Sequence, residues 1–322
     1  MRTLFTTLIL FIGTSLFAQA DSAAIFLQKA ADEKSKGRVM EQYKALDKAY
    51  GYAKTNTQVV QQLADVLITL HRYPQARDKY LELEKLGVTS ASNYKQLMEI
   101  SFNIRQFDDA IKYANALKKT DASQQVAFYL GKASYEQESL GDAIKYFTQA
   151  ATEDPQNPEV PYYTARSYAD MNNYKTAVSF FQKAIALKPT ESRWIYEMAL
   201  MYYGMHDDKA SLKALLEAAD KGYKRDPEYL ENLGIAYLNV GETEKGIAIL
   251  KEILNRRPSD QHILGMLAEA LYNAKKWDEA IGYWDQLLGL DKQNASALYM
   301  IGMSYQKKRR SRQRQSFMRQ SH

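Results

Sequence analysis

The sequence contains no cysteine and only four histidines, which restricts the chemistry that the protein can perform. Without cysteine the chain forms no disulfide, no thiolate nucleophile and no cysteine-ligated zinc site. The histidines, at positions 71, 206, 262 and 322, are too far apart to share a helical turn and so predict no metal cluster. The sequence also has no glycine-rich loop of the P-loop or dinucleotide-binding type. We therefore expect a non-catalytic protein with no metal and no cofactor.

Acidic residues are missing from the last part of the chain, residues 309–322, which carries five arginines. These arginines account for the whole formal net charge of +5, so the rest of the sequence is close to neutral. Nucleic-acid-binding domains normally carry a basic face. Binding to a nucleic acid or an anionic surface would therefore depend on this segment alone, and we expect no nucleic-acid partner for the rest of the chain.

A long apolar run occurs at the amino terminus, from Leu4 to Phe17. It follows the basic Arg2 and precedes Ala18-Gln19-Ala20, which is the three-part arrangement of a secretory signal peptide. The run is shorter than the roughly 20 residues that span a bilayer. We expect residues 1–20 to be removed and the protein to be exported, to the periplasm or the cell envelope, with no membrane span after cleavage. Exported proteins meet an oxidising environment, which suits a chain without cysteine.

Two series of small or apolar residues recur along the remaining sequence at intervals of 33 to 35 residues. The first series is Ala64, Met98, Gly131, Ala165, Ala199, Gly234, Ala268 and Gly302. The second series, about twelve residues later, is Ala76, Ala110, Ala143, Ala177, Ser211, Gly246 and Ala280. Members of the second series are followed four residues later by a large side chain such as Phe147, Phe181 or Leu250. This pattern is typical of paired helices that cross where one side chain is small.

The pattern resembles the tetratricopeptide repeat (TPR), a helix–turn–helix unit of 34 residues. The resemblance covers residues 57–308, about seven and a half units, and implies an all-α fold, an α-solenoid wound as a right-handed superhelix. Three positions depart from the family pattern: Met98 is bulky, Ala114 replaces an aromatic residue, and Ser211 marks an irregular fifth unit. Residues 21–56 have helical periodicity outside the register, and we interpret them as N-terminal capping helices.

In this family the first helix of each unit lines a concave groove. Carried onto units three to five, the resemblance implies that the groove is formed by Phe128, Lys132, Tyr135, Tyr162, Arg166, Arg193, Tyr196 and Tyr203. Aromatic rings interleaved with cations suit an extended peptide with acidic side chains. Units six and seven contribute Glu228, Glu231, His262, Glu269 and Tyr272, which predicts an acidic end. The predicted function is therefore that of a scaffold that binds a protein or peptide of unidentified sequence.

Three alternatives stay open at this point. The groove residues could coat a solvated inner surface and bind nothing. The protein could have a structural role through end-to-end stacking of its repeats, since a terminal unit without a neighbour exposes apolar surface. The arginine-rich segment could bind a nucleic acid or an anionic surface, and such binding would weaken steeply with salt.

The repeat pattern stops at Lys308. The residue 34 positions after Ala280 is Arg314, where the repeat requires a small side chain. We expect residues 309–322 to be a disordered basic tail. A related hypothesis is a shifted reading frame: with suitable codons, losing one base near Lys307 would give KKGEADKGKALCDKA, which has a glycine at position 314.

Overall fold

The computed structural model describes residues 21–320, apart from the side chains of residues 314 and 317–320. The predicted signal peptide, residues 1–20, lies outside the described residues. All regular structure within residues 21–320 is helical, and the prediction of an all-α fold built from helical repeats is confirmed. Within the same range, no helix has both the length and the apolar character that a bilayer crossing requires.

The chain divides into two compact units, and the division falls inside one helix, between Tyr163 and Thr164. The helices of the first unit are α1 (residues 21–35), α2 (Val39–Tyr52), α3 (Thr57–Thr69), α4 (Tyr73–Lys85), α5 (Ala91–Asn103), α6 (Phe107–Thr120), α7 (Ala127–Glu136) and α8 (Leu140–Glu153). The helix that contains the division is α9 (Glu159–Asp170). The helices of the second unit are α10 (Tyr174–Leu187), α11 (Ser192–Gly204), α12 (Asp208–Asp220), α13 (Pro227–Asn239), α14 (Thr243–Arg256), α15 (Gln261–Asn273), α16 (Trp277–Leu290) and α17 (Ala295–Gln320).

Consecutive helices pack in pairs as antiparallel hairpins. The pairs in the first unit are α3 with α4, α5 with α6, and α7 with α8. The pairs in the second unit are α11 with α12, α13 with α14, and α15 with α16. Within each unit the second helix of one hairpin also contacts the first helix of the next. Each hairpin therefore buries its apolar face against its neighbours, as a stack of repeats requires.

The two helices of a hairpin touch where the first carries a small residue. An added Cβ on Gly131 of α7 would lie only 2.6 Å from Cδ1 of Phe147 on α8. In the second unit, an added Cβ on Gly234 of α13 would lie 3.3 Å from Cδ2 of Leu250 on α14. In both hairpins the large side chain lies 16 positions after the small one and fills the space of its missing methyl group. The crossing thus depends on a small residue facing a large one.

Two of the sequence departures compensate for each other. Met98 is the bulky residue at the first-helix crossing position, and Ala114 is the small residue 16 positions later, where other hairpins have Phe147 or Leu250. Both are buried in the same core cluster, each with 1% of its surface exposed. The hairpin of α5 and α6 therefore keeps the total volume at the crossing and exchanges the large side chain between helices, which is the kind of change that cores tolerate.

Ser211, the third departure, fits its buried position through a hydrogen bond. Its hydroxyl donates to the carbonyl oxygen of Ala199, the small residue of the facing helix α11, at 3.0 Å. A buried hydroxyl without a partner would cost free energy, so the close approach of α11 and α12 is what makes a serine acceptable there. The fifth unit is regular at this crossing.

The turn inside each hairpin contains one residue in the left-handed region of backbone space. Six of these residues are not glycine: His71, Arg105, Glu138, Asn172, His206 and Lys275, with φ between 56° and 63°. Gly241 (φ 84°) has this role between α13 and α14. The amide after each donates to a carbonyl five residues earlier, as Ser139 does to Ser134 at 2.9 Å. This arrangement is the Schellman motif, which satisfies the carbonyl groups at the end of a helix.

The basic segment continues α17, which extends without interruption to Gln320. From the sequence we expected a disordered tail beginning at residue 309. Arginine, lysine, glutamine and methionine all favour helix, and no glycine or proline interrupts residues 303–320. Residues 309–320 are therefore helical, whereas the earlier first helices are followed by a turn at the corresponding repeat position.

We predict that Met98 and Ala114, the two residues at the α5–α6 crossing, are energetically coupled. Met98→Gly should destabilise the protein by about 3–5 kcal/mol because it leaves a cavity and adds a glycine to a helix. Ala114→Phe alone should cost about 1–3 kcal/mol through overpacking. The double variant reproduces the Gly131–Phe147 pair and should recover at least about 1 kcal/mol relative to the sum of the single changes, measured by urea denaturation. Simple additivity of the two changes would show that the residues do not share the crossing.

We also predict that the non-glycine residues with a positive φ in these turns carry backbone strain, which substitution by glycine relieves. Glu138→Gly should stabilise the protein by about 0.5–1 kcal/mol, because glycine adopts a positive φ without steric cost. Gly241→Ala should destabilise it by about 1 kcal/mol. Glu138→Ala is the matched control: it removes the same side-chain atoms beyond Cβ without relieving the backbone, so it should give no gain. Equal stabilisation by glycine and alanine at position 138 would show that the backbone there is not strained.

Candidate functional site

The first unit contains a patch of aromatic side chains on neighbouring first helices. Its rings belong to Phe102 of α5, to Phe128, Tyr129 and Tyr135 of α7, and to Tyr163 of α9. The ring centroids of Phe128 and Tyr163 are 6.1 Å apart, and those of Tyr135 and Tyr163 are 5.8 Å apart. Phe102 and Tyr129 meet edge to face at 6.1 Å. All five rings are half-buried, and we call this set the aromatic patch.

Lys132 lies within the aromatic patch. Its Nζ is 5.3 Å from the ring centroid of Phe102, 5.3 Å from that of Phe128 and 4.8 Å from that of Tyr163. The same nitrogen lies 3.9 Å from a carboxylate oxygen of Glu159, and the side chain is only 21% exposed. Cations over ring faces within about 6 Å are stabilised by the ring quadrupole. The charge of Lys132 is therefore largely satisfied by contacts inside the chain.

A cleft of about 320 Å³ lies beside the patch, between α5, α7 and the loop before α7. Lys95, Glu99 and Tyr129 contribute polar groups to it, while Met98 and Leu117 contribute apolar surface. Burial raises the pKa of the Tyr129 hydroxyl, and the nearby carboxylates of Glu99 and Glu159 raise it further. The hydroxyl therefore stays protonated well into the alkaline range and is available as a hydrogen-bond donor.

The second unit contains a cluster of three tyrosines on adjacent hairpins. The Tyr196 ring of α11 stacks on Tyr223 with a centroid distance of 4.3 Å, and Tyr229 of α13 lies 6.1 Å away. The amide of Asn232 donates to the Tyr196 hydroxyl at 2.8 Å, and this hydroxyl donates to Glu228 at 3.3 Å. Burial and, next, the charge of Glu228 raise the pKa of Tyr196. The cluster is a packed, hydrogen-bonded structure.

An acidic cleft of about 400 Å³ lies beside the tyrosine cluster, at the junction of α13, α14 and α15. Four carboxylates line it, those of Asp226, Glu228, Glu231 and Asp260. Ile253 and Ile263 contribute apolar surface, and Arg257 contributes one cation. His262, at the start of α15, contacts Glu231 with 3.2 Å between its Nε2 and the carboxylate oxygen. Glu228 and Glu231, two residues of the predicted acidic end, thus line the same cleft as Asp226 and Asp260.

A family model described as the tetratricopeptide repeat matches residues 19–293, most of the chain. The chain belongs to the tetratricopeptide repeat family. The match includes residues 21–56, which the sequence pattern alone placed outside the repeat register.

Solved structures with the same fold show similarity over most of the chain. The C-terminal part of a TPR repeat-containing protein from Cytophaga hutchinsonii is 16% identical, with a TM-score of 0.62, and covers 74% of this chain and 98% of its own. The pilF protein of Pseudomonas aeruginosa is 16% identical, with a TM-score of 0.51, and covers 66% of this chain and 97% of its own. At such identities the similarity establishes the fold alone. No curated protein matches the sequence.

The predicted groove residues of the TPR repeats differ in how accessible they are. Phe128, Lys132 and Tyr135 come together in the aromatic patch. Tyr162 and Tyr196 are buried, with only 6% and 5% of their surface exposed. These two rings therefore present little surface to a partner.

The other predicted groove residues lie nearer the solvent. Tyr203, near the end of α11, is 46% exposed. Arg193, at the start of the same helix, donates from Nε to Glu197 at 2.8 Å and remains 63% exposed. Arg166 lies half-buried on α9. The role of these residues in partner binding stays a prediction.

The residues that sequence reasoning missed are the ones that contact the predicted groove residues from the next repeat. Glu159, Tyr223 and Asn232 were not singled out. Many polar contacts join residues 31 or 32 positions apart, including Tyr50 with Glu82, Arg105 with Glu136, and Tyr196 with Glu228. Complementary residues at this separation are a signal for contacts such as Tyr196 with Glu228, but Glu159, Tyr223 and Asn232 lie 27 or 36 positions after their partners and would not have been found by it. Among the described residues, no three or more histidine or carboxylate side chains are arranged so that they could hold a metal ion.

We predict that Lys132 has a stabilising role inside the patch. Lys132→Met keeps the apolar stem against the rings and removes the charge, so it should lower the free energy of unfolding by about 1 kcal/mol. Lys145→Met on the exposed surface of α8 is the matched control and should change stability by less than about 0.5 kcal/mol. Both changes are measured by urea denaturation. Equal stability of the two variants would contradict a structural role for the Lys132 charge.

Proposed function

We propose that this chain is an exported, non-catalytic TPR scaffold that binds a protein or peptide segment along the first helices of its repeats. TPR proteins typically mediate protein–protein interaction, and the family is generally non-catalytic. The observation that supports binding on these helices most directly is the aromatic patch, where each of five half-buried rings has its centroid about 6 Å from that of at least one other.

The chemistry of the aromatic patch suits a protein partner. Its rings are held by their neighbours, so contacting them costs little conformational entropy, and each of them remains partly exposed. Aromatic residues carry much of the binding energy in protein interfaces. The adjoining cleft supplies Lys95, Glu99 and the protonated Tyr129 hydroxyl as hydrogen-bonding groups. Together they provide apolar area for a side chain of the partner and polar groups that orient its backbone.

The acidic cleft of the second unit suits a different part of a partner. Its four carboxylates surround a space with apolar surface from Ile253 and Ile263. A lysine or arginine side chain fits such a space, because its stem packs on apolar groups while its charged end pairs with carboxylates. The proposal therefore assigns basic side chains of the partner to the second unit and apolar side chains to the aromatic patch of the first.

The proposed location rests on the amino-terminal sequence. Arg2, the apolar run Leu4–Phe17 and Ala18-Gln19-Ala20 support export, and the absence of cysteine suits an oxidising periplasm. Mass spectrometry of the protein recovered from a periplasmic extract tests this directly. A mature amino terminus near Asp21 supports export, and an intact terminus in the cytoplasm would overturn it.

Site-specific photo-crosslinking tests the binding surface. A benzophenone amino acid placed at Tyr135 lies in the aromatic patch, and one placed at Lys145 on the exposed surface of α8 is the matched control. We expect irradiation in the native host to attach one discrete polypeptide at position 135, and none or at least about tenfold less at position 145. Equal labelling at both positions would show that the first-helix surface has no special role.

A further inference from the structure

The exposed face of α17 has the features of a hairpin crossing that lacks its second helix. Gly302 occupies the same repeat position as Gly131 and Gly234, at which Phe147 and Leu250 of the following helix fill the available space. At Gly302 no described atom lies within 4 Å of an added Cβ, and the residue is exposed. A position that is a contact point in other hairpins is therefore open here.

The side chains around Gly302 are also those that other repeats bury. Leu298 is 55% exposed, whereas Leu264 and Leu230, its equivalents in the two preceding repeats, are 1% and 0% exposed. Tyr305 is 57% exposed, whereas its equivalent Leu271 is 0% exposed. Leu298, Gly302 and Tyr305 are spaced by four and three residues, so they lie in one stripe along the helix. We call this stripe the open face.

The opposite side of α17 is already packed. Ala297 and Ser304 are fully buried, and Lys308 pairs with Asp278 of α16. The helix is thus held in place as the first helix of a repeat. In the preceding hairpins the chain reverses at a left-handed residue such as His206 or Lys275. The position 34 residues after Lys275 is Arg309, which lies inside α17, so the described chain does not turn back to cover the open face.

The repeats themselves show what kind of element fits the open face. In the hairpins with a glycine at this position it is an antiparallel amphipathic helix with a large apolar side chain over that glycine, as in the Gly131–Phe147 and Gly234–Leu250 pairs. Charge then narrows the choice of helix. Lys307, Arg309, Arg310 and Arg312 are exposed on α17, and no acidic residue occurs after Asp291. A second copy of α17 would place like charges side by side, whereas an acidic helix would pair with them.

From these observations we infer that the open face of α17 is a docking site for an acidic amphipathic helix of a partner protein, which completes the eighth hairpin. The partner helix places an aromatic or leucine side chain over Gly302, as Phe147 lies over Gly131. Its apolar stripe covers Leu298 and Tyr305, and its carboxylates pair with the cations of α17. This site is separate from the aromatic patch and the acidic cleft, and it does not depend on the function proposed for them.

A synthetic peptide tests the inference with the full chain. The probe has the sequence of residues 139–154, the segment that covers Gly131, with Lys145→Glu to make it more acidic. We expect saturable binding by fluorescence anisotropy. Binding should weaken by about tenfold or more with Leu298→Glu or Gly302→Phe in the protein, and with Phe147→Ala in the peptide. Neither protein change disturbs a buried contact, because both positions are exposed.

Two controls show whether the peptide binds at the open face and whether charge contributes. Gly282→Phe also adds a ring at an exposed helical glycine with no atom within 4 Å, and it should leave binding unchanged. A peptide with its acids changed to lysine should bind at least about tenfold more weakly than the probe. Equal affinity for wild type and Gly302→Phe would overturn the inference. Sedimentation showing self-association that Gly302→Phe abolishes, with no peptide binding, would assign the face to a second copy instead.

Discussion

The close approach of two helices at a small residue is the contact on which the rest of this structure depends. Gly131 beneath Phe147 and Gly234 beneath Leu250 show it most directly, since neither glycine could gain a methyl group without displacing its neighbour or being pressed against it. Because protein interiors are close-packed, the volume at such a crossing is conserved even when the residues change. Met98 and Ala114 conserve it by exchanging the large residue between helices. The interval between successive crossings sets the repeat length, and the left-handed turns and inter-repeat contacts recur at the same interval.

The fold was predictable because this contact leaves a periodic trace in the sequence. In most hairpins a small residue is followed by a large one 16 positions later, and this pair recurs every 33 to 35 positions. The turns were harder to predict from the sequence. His71, Arg105 and Lys275 adopt a positive φ, although their residue types do not indicate one. The compensation between Met98 and Ala114 is harder to predict, because each residue departs from the family pattern when taken singly and the two fit only as a pair.

The candidate site was predictable only in part, because the accessibility of a groove residue depends on the repeat that follows it. Tyr196 occupies a groove position by register, yet it is buried because Tyr223 stacks on it and Glu228 and Asn232 hold its hydroxyl. Lys132 occupies another, yet its charge is satisfied by three rings and Glu159. Such contacts stabilise the stack and also reduce what is available to a partner. The proposed recognition therefore relies on the exposed parts of the aromatic patch and on the carboxylates of the acidic cleft.

The open face of α17 differs from an internal crossing in how its second helix is supplied. Within a hairpin the two helices are joined by a short turn, so bringing them together costs little entropy. A helix from another molecule loses translational and rotational freedom on docking, and its apolar contacts with the open face must offset much of that loss. Charge pairing supplies additional attraction and accelerates encounter, at the cost of sensitivity to salt. The crossing at Gly302 resembles those of other hairpins, but the cations beside it do not recur there. These cations are the feature that favours an acidic helix from a partner protein on the open face.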